Sequence, residues 1–191
     1  MARHFLTMKD LAQHELTAVL DLAGRCKRNR RLGGQTLKGS TVALVFQKPS
    51  MRTRVAFEVA VLQLGGSVVY LGQDDIQLGT REPIKDVARV LSRYVDAIVA
   101  RTFAHADAEE FAAYAKCAVI NGLSDLHHPC QALADLLTIR ERFGKLSGLT
   151  VAYIGDGNNV LHSLMQGLGR FPDVALKVAT PKGYEPNGPL W

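Results

Sequence analysis

The sequence predicts an α/β protein: a parallel sheet flanked by helices, followed by the start of a second α/β domain. Three observations predict it. Short β-branched runs alternate with segments of helical period, the pattern of a mostly parallel sheet covered by helices. The alternation breaks near 143–148 ("FGKLSG") and then restarts as strand, tight turn, helix and strand. No apolar run approaches the roughly 18 residues needed to span a membrane, and a hydrophobic share of 47% with a charged share of 21% is ordinary for a globular chain.

The strand candidates are "TVALVF" (41–46), "SVVYL" (67–71), "VDAIVA" (95–100), "CAVIN" (117–121), "TVAYIG" (150–155) and "VALKVAT" (174–180). Helical period marks 84–94 and 129–143. A further helix is predicted from about Met51 to Leu64, with Ser50 as N-cap and Gly65-Gly66 as its stop. Val55, Val59 and Leu62 share one face of it, and Phe57, Val61 and Leu64 share another. A helix apolar on two faces is expected to be largely buried. The 191 residues suffice for one well-packed domain or one and a fraction. The expected division is 1–143, a first domain with its connecting helix, and 148–191. The second part, about 44 residues with two parallel strands, is too small to bury a core of its own and lacks helices for both faces. The chain therefore reads as the front part of something longer.

Composition narrows the function classes. Cys26, Cys117 and Cys130 are odd in number and form no C-x-x-C pair, which argues against a disulfide framework and fits a reducing cytoplasm. The N-terminus "MARHFLTMKD" has no apolar stretch of secretory type. Net charge is +5, and five of the seven residues in "RCKRNRR" (25–31) are basic. No aromatics interleave them as a nucleic-acid stacking platform requires, so a cationic helix C-terminus before Gly33-Gly34 is the better reading. Neither a nucleic-acid nor a membrane partner is expected.

The first candidate site is "SMRTR" (50–54). Arg52 and Arg54 occupy the first turn of a helix, where the dipole disfavours positive charge. That turn also offers free backbone N–H groups, so with Ser50 and Thr53 it makes a nest for a dianion such as phosphate. A pairing of Arg54 with Glu58 at i,i+4 accounts for Arg54 but leaves Arg52 unexplained.

The second candidate is "HHPCQ" (127–131). Pro129 suits the first helical turn, which sets His128 just before the helix and Gln131 inside it, both able to reach a shared cleft. His127, His128 and Cys130 lack the second cluster that metal-ligand spacing demands. Arg101 follows a strand directly, and ligands of open α/β sheets bind beyond the carboxyl ends of strands. "IGDGNN" (154–159) lacks the third glycine and the later acidic residue of a dinucleotide loop; it reads as a tight turn displaying Asn158 and Asn159.

"SMRTR" (50–54), "ART" (100–102), "HPCQALAD" (128–135) and "GDGNN" (155–159), in this order, resemble the aspartate/ornithine transcarbamoylase family. "INGLSD" (120–125) and "ATPKGYEP" (179–186) make the ornithine carbamoyltransferases the nearer branch. The resemblance implies a first domain that binds carbamoyl phosphate, a second that binds L-ornithine, a homotrimer with shared sites, and neither metal nor cofactor. By analogy, Ser50, Met51, Arg52, Thr53 and Arg54 would hold the phosphate, with Met51 contributing through its backbone N–H. Arg101 would bridge phosphate and carbonyl oxygen, and His128 would polarise that carbonyl. Pro129, Cys130 and Gln131 would complete the pocket, with Gln131 holding the carbamoyl NH2. Gln77 would reach a neighbouring subunit's site, and Asn159 would contact ornithine. Arg52, Arg101 and His128 are the implied catalytic set. The family's later Ser-Met-Gly and His-Cys-Leu-Pro segments are not in this sequence. Direction, towards arginine synthesis or its reverse, is left open.

Overall fold

Thr41–Phe46, a run of β-branched and large apolar residues, forms the strand around which the molecule is arranged. The computed structural model describes residues 2–78 and 81–188. Its strands are β1 (Thr41–Phe46), β2 (Ser67–Leu71), β3 (Ala97–Arg101), β4 (Ala118–Leu123), β5 (Thr150–Ile154) and β6 (Ala175–Ala179). Its helices are α1 (Gln13–Arg28), α2 (Met51–Gln63), α3 (Gln73–Ile76), α4 (Ile84–Leu91), α5 (His105–Tyr114), α6 (Pro129–Phe143) and α7 (Asn159–Leu168). No described helix is long and apolar enough to cross a membrane.

The first sheet has the order β2-β1-β3-β4, and every pairing in it is parallel. β1 sits between β2 and β3, so both its faces need cover. Ala43 and Val45 turn to one side, against Ile84, Val87 and Ala88 of α4 and Phe111 of α5. Val42, Leu44 and Phe46 turn to the other, against Phe57 and Val61 of α2. The order reverses between β1 and β3, which opens a crevice at the carboxyl ends of those strands. β5 and β6 form a separate parallel pair. A third cluster joins Leu16 and Leu20 of α1, Ala132 and Leu136 of α6, and Leu164 and Leu168 of α7.

Sequence boundaries hold closely for β1, β2 and α6. β3 starts two residues later and ends one later than expected, and β4 extends to Leu123. The helix expected over 84–94 stops at Leu91, capped by Ser92. α1 ends at Arg28 with Arg25, Lys27 and Arg28 in its last turn, while Arg30 and Arg31 lie in the following turns. One expectation fails. α2 is not largely buried: Val61 is its buried residue, and Val55, Val59 and Leu62 stay 50%, 43% and 62% exposed. Its inner face rests on the sheet, and among the described residues nothing covers the other.

The GDG turn has a packing reason. Gly157 N–H donates to Tyr184 O at 2.7 Å, and a Cβ there would overlap the backbone of Glu185 and Pro186. Gly157→Ala is therefore expected to destabilise the fold by about 1–3 kcal/mol and to expose the Gly157 amide. Urea unfolding and amide exchange check this; unchanged protection at Gly157 would contradict it.

Candidate functional site

Three strand ends meet at the crevice. After β1, Ser50 caps α2, its Oγ accepting from Thr53 N–H at 3.3 Å. β3 ends on Arg101, and after β4 comes the turn to His128, the N-cap of α6 with Pro129 in the first turn. Ser50, Arg52, Thr53, Arg101, Gly122, Leu123, His128, Cys130 and Gln131 line, with Ala56 and Phe57, a cleft of about 410 Å³.

Among the described residues, no carboxylate lines this cleft. Arg52 forms no ion pair among the described residues. Arg101 donates from Nη1 to Thr53 Oγ1 at 3.3 Å, its buried Nε has no partner, and burial lowers its pKa. His128 presents a buried, unpartnered Nδ1. Burial first, then the Arg101 charge, lowers its pKa to about 4, so it is a neutral imidazole near pH 7. The Cys130 thiol is pushed up to about 12 by burial and is no nucleophile at neutral pH. Gln131 Nε2 donates to Asp135 Oδ1 at 2.9 Å, which orients its amide. Two guanidinium groups, a neutral histidine and a helix N-terminus thus face one space with no anion in it. Such a set binds a multiply charged oxyanion.

Other expected residues lie elsewhere. Arg54 pairs with Glu58 at 2.8 Å and stacks 3.6 Å from the Tyr70 ring centroid, outside the cleft lining. The Met51 side chain is 75% exposed and does not line the cleft. Pro129 is buried as the first residue of α6. Gln77, left-handed at φ 45°, lines a separate cleft of about 370 Å³ with Gln47, Gly72, Gln73 and Phe103. Asn159 does not line the cleft; its Nδ2 donates to Ser124 O at 2.7 Å.

Sequence reading missed the supports behind the cleft. Gln47 accepts from Phe103 N–H at 2.7 Å and contacts Asp107 at 3.2 Å, tying the loop after β1 to the loop after β3. Asn121 donates to Leu6 O at 3.0 Å and lies near Ser124 Oγ and His127 O. His127 turns into a buried group with His105 and His162, at centroid distances of 4.7 and 6.5 Å. The one available signal was a polar residue at the end of each buried strand.

Two family models match this chain. The aspartate/ornithine carbamoyltransferase carbamoyl-P binding domain matches residues 3–141, and the Asp/Orn binding domain of the same family matches residues 147–191. The chain belongs to the aspartate/ornithine carbamoyltransferase family. It is 54% identical over 187 residues to the ornithine carbamoyltransferase of Carboxydothermus hydrogenoformans, covering 97% of this chain and 60% of that protein. The crystal structure of the Thermus thermophilus ornithine carbamoyltransferase matches with a TM-score of 0.92 at 50% identity, over 100% of this chain and 66% of that one. The Pyrococcus furiosus ornithine carbamoyltransferase matches with a TM-score of 0.94 at 50% identity, over 99% and 61%. The chain thus spans about 60% of the length of such relatives.

Two histidines beside the cleft make stability depend on pH in the family fold. Burial lowers both His127 and His128 from an ordinary 6.5 to about 4. Between those values the unfolded chain binds more protons than the folded one, so stability is full above 6.5 and falls as pH drops toward 4. The urea midpoint is expected to decline from pH 7 to pH 4.5, and His127→Gln to flatten that decline. A slope unchanged in the variant would show that His127 is not buried in its neutral form.

Proposed function

We propose that the full-length protein is an ornithine carbamoyltransferase, transferring the carbamoyl group of carbamoyl phosphate to the side-chain amine of L-ornithine to give L-citrulline and phosphate. The observation that carries this reading is the carboxylate-free cleft in which Arg52 and Arg101 have no anionic partner among the described residues. The names of the relatives point to the same acceptor. In this reading residues 1–143 bind carbamoyl phosphate and 148–191 begin the ornithine-binding domain, with Asn159 toward ornithine.

The chemistry follows from the side chains. The phosphate sits on the N-terminal amides of α2 with Ser50, Arg52 and Thr53. Arg101 spans phosphate and carbonyl oxygen, and neutral His128 donates to that oxygen. Gln131 holds the carbamoyl NH2. The neutral amine attacks the carbonyl carbon, negative charge gathers on the oxygen, and the C–O bond to phosphate then breaks. The proton lost by the amine leaves with the phosphate. Donors placed in advance where charge grows supply the main rate term, and holding both substrates in one cleft supplies the entropic one. His128 suits the role because its depressed pKa leaves it neutral and the residue lines the cleft.

A homotrimer with shared sites is part of the proposal. The exposed apolar face of α2, Met51, Val55, Val59 and Leu62, favours burial against another copy. Gln77 lies outside its own chain's cleft lining, as a residue serving a neighbouring site requires. Val55→Asp with Val59→Asp is expected to yield monomers in light scattering; a trimer surviving both changes would remove α2 from the interface.

Citrulline assays test the activity. Arg52→Ala is expected to lower kcat/KM by 10²–10³, about 3–4 kcal/mol of lost oxyanion-type stabilisation, and to weaken phosphate binding in calorimetry. No citrulline from the parent sinks the reading. Equal phosphate affinity in the variant removes the site. The 191-residue chain alone, spanning 60% of its relative, is expected to bind phosphate analogues without turnover.

A further inference from the structure

Three side chains on one face of α7 hold the loop that carries His128. Asn159 Nδ2 donates to Ser124 O at 2.7 Å, His162 Nδ1 meets Leu126 O at 3.0 Å, and Ser163 Oγ accepts from His128 N–H at 2.8 Å. The helix spacing i, i+3, i+4 defines one face. The loop partners fall on every second residue, as in a segment laid along that face. Ser163 is fully buried and His162 is 4% exposed. A ring nitrogen facing a carbonyl oxygen must donate, so His162 Nδ1 carries the proton. Its Nε2 then accepts from Asn187 N–H at 3.0 Å. α7 falls in the second family match and His128 in the first. The contact therefore crosses from one matched part to the other.

His128 is the N-cap residue of α6, with φ −134°. Its N–H lies outside the helical hydrogen-bond ladder and depends on Ser163 for an acceptor. Fixing that N–H fixes the peptide plane, and with it the direction in which the Cβ and imidazole leave the backbone. Behind the loop, Ser124 N–H donates to His127 O at 2.9 Å, closing a turn whose free end is the His128 amide. We propose that Ser163 is a positioning residue for carbamoyl transfer: by accepting the His128 amide hydrogen it aims the imidazole into the cleft beside Arg101. This rests on the function proposed above, while the geometric claim about His128 has a readout of its own.

The test uses the full-length gene product with Ser163→Ala and Ser163→Thr. Ser163→Ala is expected to lower kcat at least about tenfold with KM for carbamoyl phosphate within threefold, because the phosphate-holding residues on α2 are untouched. Ser163→Thr, which keeps the hydroxyl, is expected to recover kcat to within threefold of the parent. Histidine NMR, with His128 assigned by comparison with His128→Gln, supplies the second readout. In Ser163→Ala the His128 titration is expected to move up from about 4 toward its ordinary 6.5 as the ring leaves its buried place by Arg101. Ser163→Thr is expected to keep it low. A kcat within twofold of the parent in Ser163→Ala, or an unmoved His128 titration, overturns the proposal. If the parent yields no citrulline the functional reading fails, yet the NMR result still decides whether Ser163 sets the ring. Should Ser163→Ala not fold, Ser163→Thr with a displaced His128 titration overturns the proposal just as well.

Discussion

A guanidinium group held at the end of a buried strand, with no ion-pair partner among the described residues, is the constraint on which this structure turns. Arg101 ends β3, and its Nε is buried without a partner. Unpaired charge taken from water is costly, and the N-terminus of α2 adds like-signed potential across the same cleft. The folded protein therefore carries a local electrostatic deficit. An oxyanion removes it, and whatever binds only the native state also adds to its stability. That unanswered positive charge distinguishes it from the second cleft beside Gln77, which the Asp74 carboxylate lines among glutamines and apolar groups.

The scaffold keeps those cations apart in a fixed geometry. β1 and β3 are neighbours, in register from Val42 with Ala97 to Phe46 with Arg101. Gln47 continues that register: its N–H donates to Arg101 O at 2.9 Å, and its side chain receives the Phe103 amide at 2.7 Å. The distance between the first turn of α2 and the Arg101 side chain is consequently set by backbone pairing. A strand end holds Arg101 and the first turn of a helix holds Arg52, rigid elements of the kind that keep precise contacts.

Much of this was legible beforehand. β1 was plain because its residues must satisfy two buried faces, and Ser50 and Pro129 marked helix starts through chemistry that is local to the chain. Arg52 stood out because it opposed the dipole. Other features were hidden for physical reasons. Apolar period in α2 records that Val55, Val59 and Leu62 avoid water, not what covers them, so burial within one chain was the wrong inference. Arg54 carried the same local signature as Arg52, and the stack on Tyr70 that separates them depends on how α2 packs against β2. The hydroxyl of Ser163 gave no periodic signal at all, since its partner is a backbone N–H 35 residues away.

The N-terminal segment carries a consequence of another kind. Phe5 forms a parallel bridge with Ile120, and Leu6 O receives the Asn121 side chain across a separation of 115 residues. The outer edge of β4 is thereby covered by the first few residues of the chain, which blunts an edge that is otherwise open to pairing with another molecule. During synthesis those first residues emerge long before their partner strand exists. Contacts of such high sequence separation are late and slow to form, and until they close, β4 stays unprotected. A nascent or refolding chain is accordingly most prone to aggregate in that interval, and a chaperone that shields the β4 edge would speed recovery of the native protein more than one that binds the cleft.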